Sequence, residues 1–179
     1  MSTSSTIGAP LHIRLAAAAD VPALAELFRQ SVLAVAPQRY TLEQTQAWVS
    51  FATDLEAFRA FILAVTTYVA EDATGIVGFA GIGQDGHVAS AYVRPDCIHR
   101  GIGSALMQRL LAYADSQGLQ RLYGEASEFS LGLFLKFGFR QYDTEVVERQ
   151  GVRFSRYLVE KLRRDNSGPE SRRIGGPLL

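Results

Sequence analysis

The residues best placed for chemistry in this chain are Gly101-Ile102-Gly103-Ser104, preceded by His99 and Arg100. They follow a strand-like run and open a helical pattern. The first amides of a helix have no internal partners, and the helix dipole adds partial positive charge there. Glycine lets an anion approach the backbone closely, and His99 and Arg100 add cationic character. The chemistry is that of an anion cradle able to hold a pyrophosphate. A Walker loop would end in Gly-Lys-Ser/Thr; here that ending and an accompanying acidic metal site are both absent, which disfavours a nucleotide-binding protein. Spacing alone leaves a second reading open, a tight strand-to-helix turn with no ligand.

A second glycine run, Gly81-Ile82-Gly83-Gln84-Asp85-Gly86, matches the dinucleotide pattern G-x-G-x-x-G. That pattern needs a helix directly after it. "HVASAYV" follows instead, so the run reads as a strand ending in a hairpin turn. Cys97 invites comparison with a nucleophile, which requires an oriented base and an oxyanion site. His99, two residues on, lies inside the glycine loop and suits neither task, so the thiol reads as inert. His12, His87 and His99 lack metal-ligand spacing, and no metal is expected.

These residues need elements to hold them. The chain has 179 residues, 47% of them apolar, enough for one domain with a real core. Eighteen basic residues balance eighteen acidic ones, so no basic excess points to nucleic acid. One cysteine excludes an internal disulfide and fits a reducing, cytoplasmic setting. No signal peptide and no membrane span is expected. Residues 1–10 and 163–179 read as flexible tails around one domain at 11–162.

The expected order begins with a strand over Leu11–Leu15. A helix follows from Val21 to about Ala34, with Asp20 as N-cap. A second helix starts at Leu42, with Thr41 and Gln44 at capping-box spacing, and buries Trp48. Asp54 caps a third. "TTYVAED", "GIVGFAGIG" and "HVASAYVR" form three antiparallel strands. The helix from Gly101 ends at Gly118. "QRLYGEAS" is a strand, "SLGLFLKFG" a short helix, and a last hairpin turns at Gly151.

With these residues in view, the chain resembles the GCN5-related N-acetyltransferase (GNAT) family. The family's acetyl-CoA motif, Gln/Arg-x-x-Gly-x-Gly/Ala between a strand and a long helix, aligns with "IHRGIGSAL". "LYGEASEFSLGLFLKFGFR" resembles the next strand, short helix and closing Gly-Phe pair, and the element order agrees from about Leu11 to Leu162. "SVLAVAPQRYTLEQTQAW" resembles the bacterial YafP-like branch. The fold this implies is α/β in layers, a mixed, mostly antiparallel sheet splayed at the acetyl-CoA site with helices on both faces. The resemblance implies transfer of an acetyl group from acetyl-CoA to an amine, on a small molecule or a protein, by direct attack without an acyl-enzyme.

The residues this implies divide by role. Acetyl-CoA is held by the backbone of Tyr92, Val93 and Arg94, by the loop Ile98, His99, Arg100, Gly101, Ile102, Gly103 and Ser104, and by Ser127, Ser130 and Phe134. The Val93 amide polarises the thioester carbonyl. Glu125, late on the strand lining the gap, is the first candidate for the base that deprotonates the amine, against a solvated or ion-paired strand carboxylate. His87 and Tyr92 are alternatives acting through water. Tyr40 and His87 are candidates for the acceptor pocket, and Trp48 reads as core. Two positions depart from the family. Ile98 replaces Gln or Arg, and Phe134 stands where many relatives carry a tyrosine general acid; Tyr123 or Tyr142 are candidate substitutes. Phe134 keeps a second function open, a catalytically weak acyl-CoA-binding sensor or interaction module. The last hairpin offers a surface for a homodimer.

Overall fold

The computed structural model describes residues 10–163. The expected tails lie outside these residues, apart from Pro10 and Arg163 at their margins.

Strand β1 (His12–Leu15) leads through a 3-10 turn to α1 (Val21–Val35). Asp20 does precede α1, but it does not cap it. Its carboxylate turns back to the Ala17 amide (2.7 Å) and the Arg14 guanidinium (2.7 Å), because the preceding 3-10 turn offers the nearer donors. Helix α2 (Leu42–Val49) opens with the expected capping box, Thr41 Oγ1 accepting from the Gln44 amide and Gln44 Oε1 from the Thr41 amide. Asp54 caps α3 (Leu55–Leu63) by accepting from the Ala57 amide. Each cap satisfies amides that the helix itself leaves unpaired.

Three antiparallel strands follow, β2 (Thr66–Asp72), β3 (Gly75–Ile82) and β4 (Val88–Val93), completing a sheet in the order β1-β2-β3-β4. Gly81–Gly86 is the end of β3 and its turn, with the Gly86 amide donating to the Gly83 carbonyl. Helix α4 (Ile102–Ser116), β5 (Arg121–Ala126), α5 (Leu131–Lys136) and the hairpin β6 (Arg140–Arg149) and β7 (Val152–Leu162) complete the chain. The last three strands form a second antiparallel sheet, β5-β7-β6.

The two cores lie on opposite faces of the first sheet. On one face α1 and α3 bury Leu24, Phe28, Phe58 and Ile62 against Val69 and Phe79. On the other, α4 and α5 bury Leu106, Leu110 and Phe134 against Ala70, Val77 and Ile82. The two sheets meet where β4 and β5 start together and then part. One parallel bridge, His87 to Tyr123, joins them, with the Tyr123 amide donating to the Gly86 carbonyl. Gly86 makes this approach feasible. It has φ +89°, and a Cβ there would lie 2.1 Å from the Arg121 carbonyl oxygen. Beyond the bridge no ladder joins β4 to β5, and the sheet opens into a cleft.

Candidate active site

The cleft leads first to the mouth of α4. After β4 the chain makes a 3-10 turn over Pro95–Cys97 and then places His99 (φ +60°) and Gly101 (φ +80°) in the left-handed region. Such left-handed residues among others turn successive amides toward one concavity, an anion-binding nest. Gly101 is the N-cap of α4 and offers no side chain to its amides; the first intrahelical bond at this end runs from Ala105 to the Gly101 carbonyl. The amides of Ile102, Gly103 and Ser104 are therefore left for another acceptor.

The two glycines differ in kind. Gly101 is required by its positive φ. Gly103 is not required by the protein itself, since a Cβ there would meet Leu133 at 3.6 Å and Val93 at 3.7 Å, ordinary contacts. A glycine in a helix where the fold would accept alanine is intelligible as clearance for a ligand.

The side chains expected at the mouth divide differently from the sequence reading. His99 and Ile98 are exposed and line the cleft. The Arg100 guanidinium instead faces back, 3.2 Å from Asp72 Oδ2 and 3.2 Å from Cys97 Sγ, so this residue offers backbone rather than charge. A cation comes from a residue the sequence did not indicate. Lys136, in the last turn of α5, places Nζ 2.7 Å from Ser104 Oγ. Nothing in the spacing of residues 32 positions apart could have signalled this.

Along β4 the register decides which backbone groups are free. The Arg94 amide donates to the Val77 carbonyl (2.8 Å) and its carbonyl accepts from the Cys97 amide (2.9 Å). The exposed Arg94 backbone expected from sequence is therefore spent within the fold. Alternation turns the Tyr92 amide toward β3 as well, and leaves the Ala91 and Val93 amides facing the cleft. Ser31 of α1 donates to the Val93 carbonyl at 2.7 Å, holding this edge in place. The Tyr92 ring packs on Phe28 and Phe79, with centroids at 4.7 and 5.4 Å. Burial raises the phenol's pKa, so Tyr92 is a poor proton acceptor.

Glu125 and His87, 38 residues apart in sequence, meet at the base of the cleft. Nε2 of His87 lies 2.7 Å from Oε2 of Glu125. Both line the cavity and both are partly buried. The histidine's hydrogen bond holds Glu125 below the usual carboxylate range, against burial, which acts the other way. The same bond raises His87 above its ordinary value. His87 also stacks on Tyr123, centroids 5.0 Å apart. Tyr123 donates to Asp85, and that bond pushes its pKa to about 12. Neither Tyr123 nor the exposed Tyr142 lines the cavity, so neither replaces a general acid there.

Phe134 is 3% exposed and lies under β5, where the missing side chain of Gly124 makes room for its ring. Ser127 and Ser130 bond mainly to one another, the Ser127 amide donating to Ser130 Oγ at 3.0 Å, and together shape the turn between β5 and α5. Beyond Glu125 the cavity, about 700 Å³ in all, widens toward α2 and the β6–β7 hairpin. Tyr40 lines it, packed on Trp48 (5.6 Å), Phe129 (6.0 Å) and Phe154 (6.1 Å). Trp48, expected in the core, packs against the cluster built by α1 and α3 as a half-buried residue, and it also lines this wall of the cavity. Arg149 and Arg156 of the hairpin also line it. Among the described residues no group of three metal-binding side chains clusters, and no helix is long and apolar enough to cross a membrane.

Comparison with known proteins places this geometry. The family described as acetyltransferase (GNAT) domain matches residues 36–161. A GCN5-related N-acetyltransferase from Rhodopseudomonas palustris is similar at 27% identity and TM-score 0.82, covering 89% of this chain and 99% of that one. PaiA N-acetyltransferase from Thermoplasma acidophilum, solved with coenzyme A, shares the fold at 19% identity and TM-score 0.73, over 86% of this chain and 99% of that one. YncA from Salmonella typhimurium, a putative acetyltransferase solved with acetyl-CoA, does so at 20% identity and TM-score 0.60, over 90% and 98%. No curated protein sequence matches. The splayed sheet, the α4 mouth and the family match agree: the chain belongs to the GNAT acetyltransferases, and it is an acyltransferase that uses acetyl-CoA.

Proposed function

We propose that the protein transfers the acetyl group of acetyl-CoA directly to an amine, with the Glu125–His87 pair managing the amine's proton. One observation carries this reading: a single cavity runs from Ile98 and His99, in the loop just before α4, past β4, to that pair. The pyrophosphate takes the amides at the start of α4, with Lys136 beside them and Gly103 giving clearance. The pantetheine arm lies along β4 as an added strand and bonds to the edge that faces the cleft. The Val93 amide points where the thioester oxygen gains charge, and a fixed donor there lowers the barrier.

An amine is protonated near neutral pH and must lose a proton before it can attack. Oε2 of Glu125 is bonded to His87; among the described residues Oε1 has no side-chain partner and is left for the acceptor. While His87 is protonated it holds Glu125 as a weak base. Once His87 has lost its proton, one taken up by Glu125 is shared through the 2.7 Å bond, and the pair titrates as a unit. The nitrogen then forms its bond to the carbonyl carbon, the carbon–sulfur bond breaks, and the thiolate leaves. A thiol's pKa near 8.5 makes departure without a tyrosine acid feasible, so Phe134 does not prevent turnover.

The segment Ser31–Trp48 supports placement in the bacterial YafP-like branch. The buried free thiol of Cys97 supports a reducing, cytoplasmic setting. The test is thiol release from acetyl-CoA with a broad panel of amines. Turnover that falls in Glu125→Gln supports the reading. Tight acetyl-CoA binding with no transfer to any amine at any pH would instead make the protein an acyl-CoA sensor.

A further inference from the structure

The far wall of the cavity indicates what the acceptor carries besides its amine, on the reading that acetyl transfer occurs here. The β6–β7 hairpin presents one face to the cavity. Its register pairs Glu145 with Arg156 and Val147 with Phe154, and alternation puts Arg149 on that same face. Arg156 bonds to Glu145, yet its Nε is buried and has no hydrogen-bond partner among the described residues. That Nε lies out of a ligand's reach, but the side chain as a whole is partly exposed and lines the cavity, where the rest of its guanidinium can meet a carboxylate oxygen. Arg156 is close enough that its charge lowers both Glu125 and His87. Arg149 acts in the same way on Tyr92, and among the described residues it has no ion-pair partner.

The charges on this wall nearly cancel. Arg156 is matched by Glu145, and Glu125 by His87 while that histidine holds its proton, which leaves Arg149 as the cation of this wall without an acidic partner among the described residues. One cation without an acidic partner suits a monoanion better than a phosphate dianion. Between them and α2 stands the aromatic wall of Tyr40, Trp48, Phe129 and Phe154.

We propose that the acceptor is an amino acid with a large apolar or aromatic side chain, its carboxylate held by Arg149 and Arg156, its side chain by the aromatic wall, and its amine by Glu125. The amine and carboxylate of such a molecule lie a few ångströms apart, and Glu125 and Arg156 line the same cavity, so they can serve neighbouring groups of one ligand.

Two measurements on the full chain test this. The first is thiol release with matched pairs: phenylalanine against phenethylamine, tryptophan against tryptamine. The acid member is expected to have the higher kcat/KM by about 10- to 100-fold, and Arg149→Gln and Arg156→Gln are each expected to collapse that ratio. Equal or better use of the amine without a carboxylate, or a ratio that survives both substitutions, overturns the proposal. The second needs no turnover: calorimetry of 3-phenylpropionate with the coenzyme A-loaded protein. Binding that is lost in Arg149→Gln, an exposed position where folding is not at stake, supports the carboxylate site even if no amine is acetylated. Absence of binding to the wild type overturns the proposal while leaving acetyl transfer to be judged by the first assay. Arg156→Lys, which keeps the charge without the planar guanidinium fork, is expected to retain binding only in part.

Discussion

The cofactor end and the acceptor end of the cavity are built from different materials. At the mouth of α4 the working groups are backbone amides, set by the left-handed His99 and Gly101 and by the register of β4. At the other end they are side chains delivered by α2, β4, β5 and the β6–β7 hairpin. Backbone geometry serves any sequence that keeps the turn, so the first end can remain constant while the second changes freely. The ligand common to many relatives belongs where the backbone holds it, and the ligand particular to this chain belongs where side chains do.

The sharpest way to separate the ends is at Glu125. Glu125→Gln is expected to lower kcat about a hundredfold or more while acetyl-CoA affinity stays nearly intact. Single-turnover kinetics with calorimetry checks this, and a variant with wild-type kcat removes Glu125 from the proton's path. The reciprocal experiment is Gly103→Val, expected to weaken acetyl-CoA at least about tenfold, or about 1.4 kcal/mol. Gly103→Ala provides the control, since the modest contacts around that Cβ predict an unchanged or slightly higher melting temperature. Unchanged affinity in both variants would mean the mouth of α4 holds no pyrophosphate.

The pH profile connects the two ends. His87 is raised above its ordinary 6.5 by the Glu125 carboxylate, and the reactive pair is the one that has lost this proton. The rate is therefore expected to rise with pH through a midpoint above 6.5. In the residual activity of Glu125→Gln the largest raising influence is gone, and burial and Arg156 act downward against Asp85 alone, so the midpoint should move to lower pH. A midpoint that does not move assigns the titration to another group. The smallest effect is expected at Phe134→Tyr. The ring is already seated beneath Gly124, so the new hydroxyl should change kcat only a few-fold, with a stability loss of about 1–3 kcal/mol if it finds no partner. A gain approaching a hundredfold would show that departure of the thiolate limits the natural enzyme.

What sequence could reveal follows the same division. The capping box at Thr41, the cap at Asp54, the turns and the strand–glycine–helix mouth are local, written within a few residues, and all could be read directly. Glu125 could be placed on the cleft strand, but its meeting with His87 depends on the single bridge that joins two sheets. The arginine wall was hidden for a further reason. The register of β6 shifts between Gln141 and Asp143, and that of β4 shifts where Ala89 stands unpaired between Val88 and Ser90. One extra residue exchanges the faces of everything that follows it, so alternation counted from the strand's start assigns Arg149 to the wrong side. Periodicity places Trp48 against the core, where it packs, but does not show that the same ring also borders a cavity.

The single bridge at His87 and Tyr123 has a consequence for the protein before any ligand arrives. Beyond it no ladder joins β4 to β5, and apart from the Val93 carbonyl, held by Ser31, their facing edges form a seam left unstitched in the middle of the molecule. Seams of this kind recruit strands, whether from a substrate or from another chain. On the proposed reading, the pantetheine arm is the thread that closes this one. A cell rich in acetyl-CoA would then keep the enzyme not only supplied but folded and solitary, so the supply of its substrate also guards against its aggregation.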